Sequence, residues 1–240
     1  MKTSVVKGSD FDRAGAQYIV RRVLEKPDAV LCFATGETTR LIFDEIIRLK
    51  KELDVDFSHI HAVNLDEYVG VDPESPASCH WRIRDSLYGP LGLSKEQYHV
   101  PCSPDGDGEG ACETFRKVLA RLGGIDLLLL SIGQNGHIAF NEPGTPFGLG
   151  IHVAPITEST REAKKDLFGG KENVPPAGVS MGVSDVMRAR EILFVAKGAH
   201  KADIVAKALH GPVTEEVPAS VLQLHPNTTA LFDEAAAAKL

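Results

Sequence analysis

Residues 125–132 read IDLLLLSI, an apolar run of strand length with no polar alternation, followed directly by a glycine-bent polar loop. Such a run suits a central strand covered on both faces. Four further runs have the same character: 29–34 (AVLCFA), 60–65 (IHAVNL), 191–196 (EILFVA) and 229–232. Between them, residues 11–25, 38–53, 111–122 and 201–210 carry apolar side chains at steps of three and four, which predicts helices. Strands alternating with helices predict an α/β class with a mostly parallel sheet, and 240 residues suffice to bury its core in one domain.

Charge narrows the partners. With 26 basic against 33 acidic residues the formal net charge is −7, the reverse of the footprint that nucleic-acid binding requires. No stretch approaches the length of a membrane span, and the N-terminus MKTSVVKGSDFDR lacks the apolar segment of a secretion signal, so a cytoplasmic protein is expected. Cys32, Cys79, Cys102 and Cys112 show no CxxC spacing and are read as free thiols. His59 and His61 alternate on a strand, but no third ligand follows at metal spacing, so no metal is assigned and the pair is read as structural. Trp81 and Tyr88, in or beside a helix expected over 78–87, are read as packing residues.

Open parallel sheets bind ligands beyond the carboxyl ends of their strands. Three strand ends are polar. The first, Thr35-Gly36-Glu37-Thr38-Thr39, opens a helix and aims N–H groups and hydroxyls where an anion would sit, although Thr is equally an ordinary N-cap. The second is Asp66-Glu67. Neighbouring side chains on an extended segment point opposite ways, so at most one faces a shared pocket: one acid would be catalytic, the other structural, unless both merely end a strand at the surface. The third, 133–143 (GQNGHIAFNEP), places Asn135, His137 and Glu142 within eight residues, and a carboxylate beside an imidazole supports general acid–base chemistry near neutral pH. Lys201, after the strand at 191–196, is either a solvated charge or a phosphate contact. No dinucleotide fingerprint, Walker loop or GxSxG elbow is present.

LDEYVG at 65–70 and GQNGHIAFNEPG at 133–144 resemble the glucosamine-6-phosphate deaminase/isomerase family, extended by TGETT at 35–39, GAHKA at 198–202 and VPASVLQLHP at 217–226. The resemblance implies a single three-layer α/β domain over 1–240 with a Rossmann-like sheet. It also implies conversion of glucosamine 6-phosphate to fructose 6-phosphate and ammonia, without a cofactor. In that family the residue matching Asp66 shuttles a proton between C1 and C2. The residue matching His137 assists ring opening, and those matching Asn135 and Glu142 orient it. Thr35, Gly36, Thr38 and Lys201 match phosphate contacts.

Departures from the pattern shape further expectations. Glu37 replaces a glycine of the phosphate loop, so its charge must point away from the phosphate or weaken binding by like-charge repulsion. Asp166 stands where many relatives carry a phosphate-binding arginine, leaving Arg161, Lys164 or Lys165 as substitutes. Residues 147–154 lack the basic cluster of allosterically activated members, which implies a monomer or small homo-oligomer acting on a small-molecule sugar phosphate. KPDAVLCFATG and REILFVAKG also resemble the galactosamine-6-phosphate branch, and the fold is shared by a hydrolase class, the 6-phosphogluconolactonases, whose loop after the histidine differs from IAFNEP here. The stretch 141–176 is expected to be irregular and to form a lid. The Ala-rich tail is expected to end a helix.

Overall fold

The computed structural model describes residues 1–240. In chain order its elements are β1 (Lys2–Val6), α1 (Phe11–Glu25), β2 (Val30–Phe33), α2 (Glu37–Leu53), β3 (His61–Asn64), β4 (Asp66–Tyr68), α3 (Cys79–Ile83), α4 (Gly89–Leu91), β5 (Tyr98–His99) and α5 (Gly108–Leu122). There follow β6 (Leu127–Ser131), β7 (His152–Pro155), α6 (Glu158–Lys164), β8 (Ala177–Ser180), α7 (Val183–Val186), β9 (Ile192–Ala196), α8 (Ala202–His210) and β10 (Thr228–Asp233).

Seven strands form a wholly parallel sheet in the order β1-β10-β9-β6-β2-β3-β5. From β2 the chain winds outward through β3 and β5, whereas from β6 it winds the other way through β9 and β10. The reversal between β2 and β6 opens a crevice beyond their carboxyl ends, where an α/β sheet takes its ligands. The apolar runs are buried as their composition demands. Leu127, Leu129, Leu193 and Val195 enter one core with helices α1 and α2, while Leu128, Leu130, Ile192 and Phe194 enter the other with α5 and α8. Period-two alternation therefore feeds two apolar layers from one strand, which is why no polar residue interrupts LLLL.

All five expected strands and all four expected helices are present, with ends shifted by a few residues. Five strands, β1, β4, β5, β7 and β8, were not anticipated. β1 is a largely exposed edge strand, and β5 is two residues long, so neither carries an apolar signature. β7 and β8 pair antiparallel with β4 in a second, three-stranded sheet. This corrects the reading of 141–176 as irregular: the stretch contains β7 and α6, and Phe168 stacks edge-on at 5.0 Å against buried Tyr68. The tail after β10 forms turns instead of a helix, and the Asp233 carboxylate at its start accepts from the backbone of Gly198 and Ala236.

Candidate active site

The three polar strand ends converge on one cavity of about 420 Å³, lined by Thr35, Gly36, Thr38, Asp66, Asn135, His137 and Lys201 among others. Glu142 stands behind its wall, in contact with Asn135 and His137. A larger cleft of about 590 Å³, with His80, Tyr98 and Asp107 in its walls, gathers none of these strand-end groups.

Beyond β2 the chain turns at Gly36 and enters α2. Thr39 holds the turn: its hydroxyl donates to the Ala34 carbonyl at 2.8 Å and accepts from the Gly36 N–H at 3.2 Å. Thr35 is fixed from β3, where buried Asn64 donates to its hydroxyl at 2.9 Å and is itself oriented by the Tyr88 hydroxyl at 2.8 Å. Tyr88 is thus a packing residue, as expected, with a second task that its sequence context does not reveal. Across the cavity Lys201 donates to the Ile132 carbonyl at 2.6 Å, and burial lowers its pKa. The first turn of α2 and one buried ammonium therefore face the same space, an arrangement suited to an anion.

At the end of β3 the chain passes through Leu65 into β4, and the two carboxylates part as the strand geometry requires. Asp66 enters the cavity. Glu67 is 1% exposed and accepts the backbone N–H groups of Tyr68, Cys79 and His80 at 2.8, 3.0 and 2.8 Å, tying β4 to the start of α3. Burial, then the neighbouring charge of Glu67, pushes the Asp66 carboxyl up to about 7, against the opposing charges of His137, Lys164 and Arg82. A carboxyl there is divided between base and acid forms at neutral pH. The Cys79 thiol lies 3.9 Å from Asp66 Oδ1.

The loop after β6 is built to bring the imidazole close to backbone. A Cβ at Gly133 would overlap the His137 ring, and Gly136 takes a φ of +93° that other residues resist. The Glu142 carboxylate accepts from Asn135 Nδ2 at 2.5 Å and from the hydroxyls of Thr157 and Thr160 at 3.2 and 3.0 Å, and it stands 3.4 Å from His137 Nδ1. Burial disfavours its charge, but His137, Asn135 and Thr160 outweigh that effect and hold the carboxyl down at about 2. Thr157 and Thr160 were missed in the sequence reading. Thr157 caps α6 and Thr160 lies in its first turn, and the spacing TESTR signals an N-cap without disclosing that these hydroxyls serve a carboxylate fifteen and eighteen residues earlier.

Among the substitutes considered for the absent arginine, only Lys164 reaches the cavity. Arg161 donates to the Lys171 carbonyl, Lys165 pairs with Glu162, and Asp166 is exposed. Glu37 also lines the cavity, with its carboxylate 84% exposed and 3.8 Å from Arg82. Arg82, half-buried on α3, is a cavity residue that the sequence reading passed over. His59 and His61 do not act together. The former is exposed beside Asp56, the latter starts β3, and no cluster of three or more His, Cys, Asp or Glu could hold a metal ion. No helix is long and apolar enough to cross a membrane.

A doubly wound sheet, with the turn after β2 and the loops after β3 and β6 meeting in one cavity, defines an α/β protein with its candidate site at the strand ends. The chain belongs to the glucosamine-6-phosphate isomerase/6-phosphogluconolactonase family, whose model matches residues 10–231. It is 41% identical over 223 residues to a glucosamine-6-phosphate deaminase of Lachnoclostridium phytofermentans, spanning 93% of this chain and 94% of that one. It is 38% identical to a glucosamine-6-phosphate deaminase of a Geobacillus species, over 94% of this chain and 90% of that one. A solved structure described as a monomeric glucosamine-6-phosphate deaminase matches with TM-score 0.96 at 35% identity, covering 100% of both chains. The 6-phosphogluconolactonase of Trypanosoma brucei matches over 100% of this chain and 98% of its own with TM-score 0.78, but at 19% identity it shares the fold alone.

Proposed function

We propose that this chain is a glucosamine-6-phosphate deaminase, converting glucosamine 6-phosphate and water to fructose 6-phosphate and ammonia. The observation that carries the reading is the placing of Asp66, with a carboxyl near neutrality, in the same cavity as His137 and the Thr35–Thr38 turn. Near-full-length similarity to proteins of that name supports it.

The sugar phosphate is seated with its phosphate on the α2 turn and Lys201. His137, 3.4 Å from the Glu142 carboxylate, carries the proton that the ring oxygen must gain as the pyranose opens. Ionised Asp66 then removes the C2 proton of the open-chain aldehyde while O1 gains a proton from the C2 ammonium, giving an enolamine, and the acid form of Asp66 returns its proton to C1. The resulting iminium at C2 takes up water and releases ammonia, leaving the ketose. A pKa near 7 serves both halves of the Asp66 cycle, because neither the base nor the acid form is scarce at working pH. Thr157 and Thr160 give the segment 141–176 a direct hold on Glu142, so a lid role for it would act through that carboxylate. The setting we assign is cytoplasmic, with a monomer or small homo-oligomer as the working unit.

Lactone hydrolysis gains nothing from the lactonase structures, whose likeness is confined to the fold. The test is ammonia release from glucosamine 6-phosphate, with galactosamine 6-phosphate and 6-phosphogluconolactone in parallel. Ammonia from the first substrate at the highest kcat/KM is the expected result. Faster release from galactosamine 6-phosphate would reassign the epimer, and lactone hydrolysis without ammonia would overturn the deaminase reading.

A further inference from the structure

Helix α3 brings into the cavity one basic side chain that no strand-end motif accounts for. The Arg82 side chain is only 21% exposed, lines the cavity, and approaches a single carboxylate, with Nη2 lying 3.8 Å from Oε1 of Glu37. Its guanidinium makes no hydrogen bond within the chain, whereas those of Arg48, Arg84 and Arg190 all donate to carboxylates. Its N–H donors keep some contact with solvent and have no partner in the chain, so they are free to meet an anion that enters the cavity.

The position of that guanidinium is held, not incidental. Buried Glu67 accepts the N–H groups of Cys79 and His80, and the Ser78 hydroxyl accepts that of Trp81 at 2.9 Å, so the first turn of α3 is pinned to the strand that carries Asp66. Glu37, the partner of Arg82, is the first residue of α2, immediately after the Thr35-Gly36 turn. The guanidinium is thereby stationed at the rim of the anion-accepting turn, with Lys201 also lining the cavity.

Resting on the sugar-phosphate reading, we propose that Arg82 is a phosphate ligand of this site, and that Glu37 holds its guanidinium at the cavity rim until the phosphate replaces that carboxylate. A planar guanidinium can grip two phosphate oxygens at once, which an ammonium cannot. The arrangement also resolves the cost of an acidic residue beside an anion site. Glu37 also lines the cavity, but its carboxylate is largely in solvent beside Arg82, and it yields that partner when phosphate arrives. Glu37 is thus a positioning residue acting through Arg82.

The test is calorimetric titration of the full chain with inorganic phosphate, alongside steady-state kinetics on glucosamine 6-phosphate, for wild type, Arg82→Ala, Arg82→Lys, Glu37→Gln and the double variant Arg82→Ala/Glu37→Gln. Arg82→Ala is expected to weaken phosphate at least about tenfold, with most of the kinetic loss in KM, and Arg82→Lys to fall between it and wild type. Glu37→Gln is expected to tighten phosphate, and the double variant to bind it at least about threefold more weakly than Glu37→Gln alone. An unchanged phosphate Kd in Arg82→Ala would overturn the proposal. So would disappearance of the Arg82→Ala effect in the Glu37→Gln background, because Arg82 would then only neutralise Glu37. A wild type that binds phosphate in an Arg82-dependent manner yet deaminates neither amino sugar would sink the deaminase reading while upholding this one.

Discussion

His137 Nδ1 stands 3.4 Å from Glu142 Oε1 and, though buried, has no hydrogen-bond partner. The carboxylate is already gripped by Asn135, Thr157 and Thr160, which fix it on the far side of the imidazole from the cavity. Under the proposed reading, the Glu142 carboxylate is the group that acts on His137 during ring opening. Glu142→Gln should therefore lower kcat/KM on the closed-ring substrate by about 10²-fold, with a smaller loss on an analogue that cannot close. An equal loss on both would remove Glu142 from ring opening.

The same carboxylate makes a prediction about stability. Its folded-state pKa of about 2 lies below the ordinary 4.5, so it stabilises the fold fully above about pH 5, and that contribution, on the order of 3 kcal/mol, fades as pH falls toward 2. Urea unfolding of wild type and Glu142→Gln across pH 2–7 should show a stability gap that narrows on acidification. A gap independent of pH would contradict the assignment.

Asp66 has the opposite sign. Its folded-state pKa of about 7 lies above the ordinary 3.8, so it favours the fold at acid pH and opposes it increasingly as pH rises through 7. Asp66→Asn should lose about 10³-fold or more in turnover while binding fructose 6-phosphate within about threefold of wild type. It should also be more stable than wild type at pH 8, by about 1–2 kcal/mol for this half-buried group. The acid limb of wild-type kcat/KM should lie near pH 7. A limb near 4 would show that Asp66 is an ordinary carboxylate and not the proton-transfer base.

Gly133 tests how closely the imidazole must approach the chain. Because an added Cβ would occupy the space of the His137 ring, Gly133→Ala should displace the ring and reduce kcat at least about tenfold. The residue lies at a strand end and not inside a core cluster, so a melting temperature within a few degrees of wild type is expected. Wild-type kcat in this variant would mean that the ring can work from elsewhere.

What sequence patterns disclosed and what they hid divide along a physical line. LLLL at 127–130 could only be a strand buried on both faces, and the polar residues directly after β2, β3 and β6 lie at the crevice because strand ends in a reversing parallel sheet leave them nowhere else to go. Asp66, Asn135 and His137 were legible for that reason. Arg82, Thr157 and Thr160 were not, since each reaches the site from a short helix whose own pattern announces only a helix start or a surface charge. Their placement depends on the small sheet of β4, β8 and β7, whose strands lack the continuous apolar runs of the main one. Asp66 and Glu67 illustrate the boundary: strand geometry foretold that the pair would split, but not which partner would be enclosed by three backbone N–H groups.

Glu67 therefore carries the sharpest test of how structure and chemistry are joined here. It is buried, burial raises its pKa despite three backbone N–H donors, and its charge is the second cause that raises Asp66. In Glu67→Gln the amide oxygen can keep two of those bonds at the Oε1 position, but the amide nitrogen must face the His80 N–H where Oε2 now accepts. That loss should cost about 1–3 kcal/mol, read as a lower urea midpoint with unchanged slope. Independently, removing the like charge should let Asp66 ionise more readily and move the acid limb of kcat/KM to lower pH. A lower midpoint with an unmoved limb would confine Glu67 to anchoring α3. Movement of both would make it the residue through which the stability of the β4–α3 junction and the basicity of Asp66 are set together.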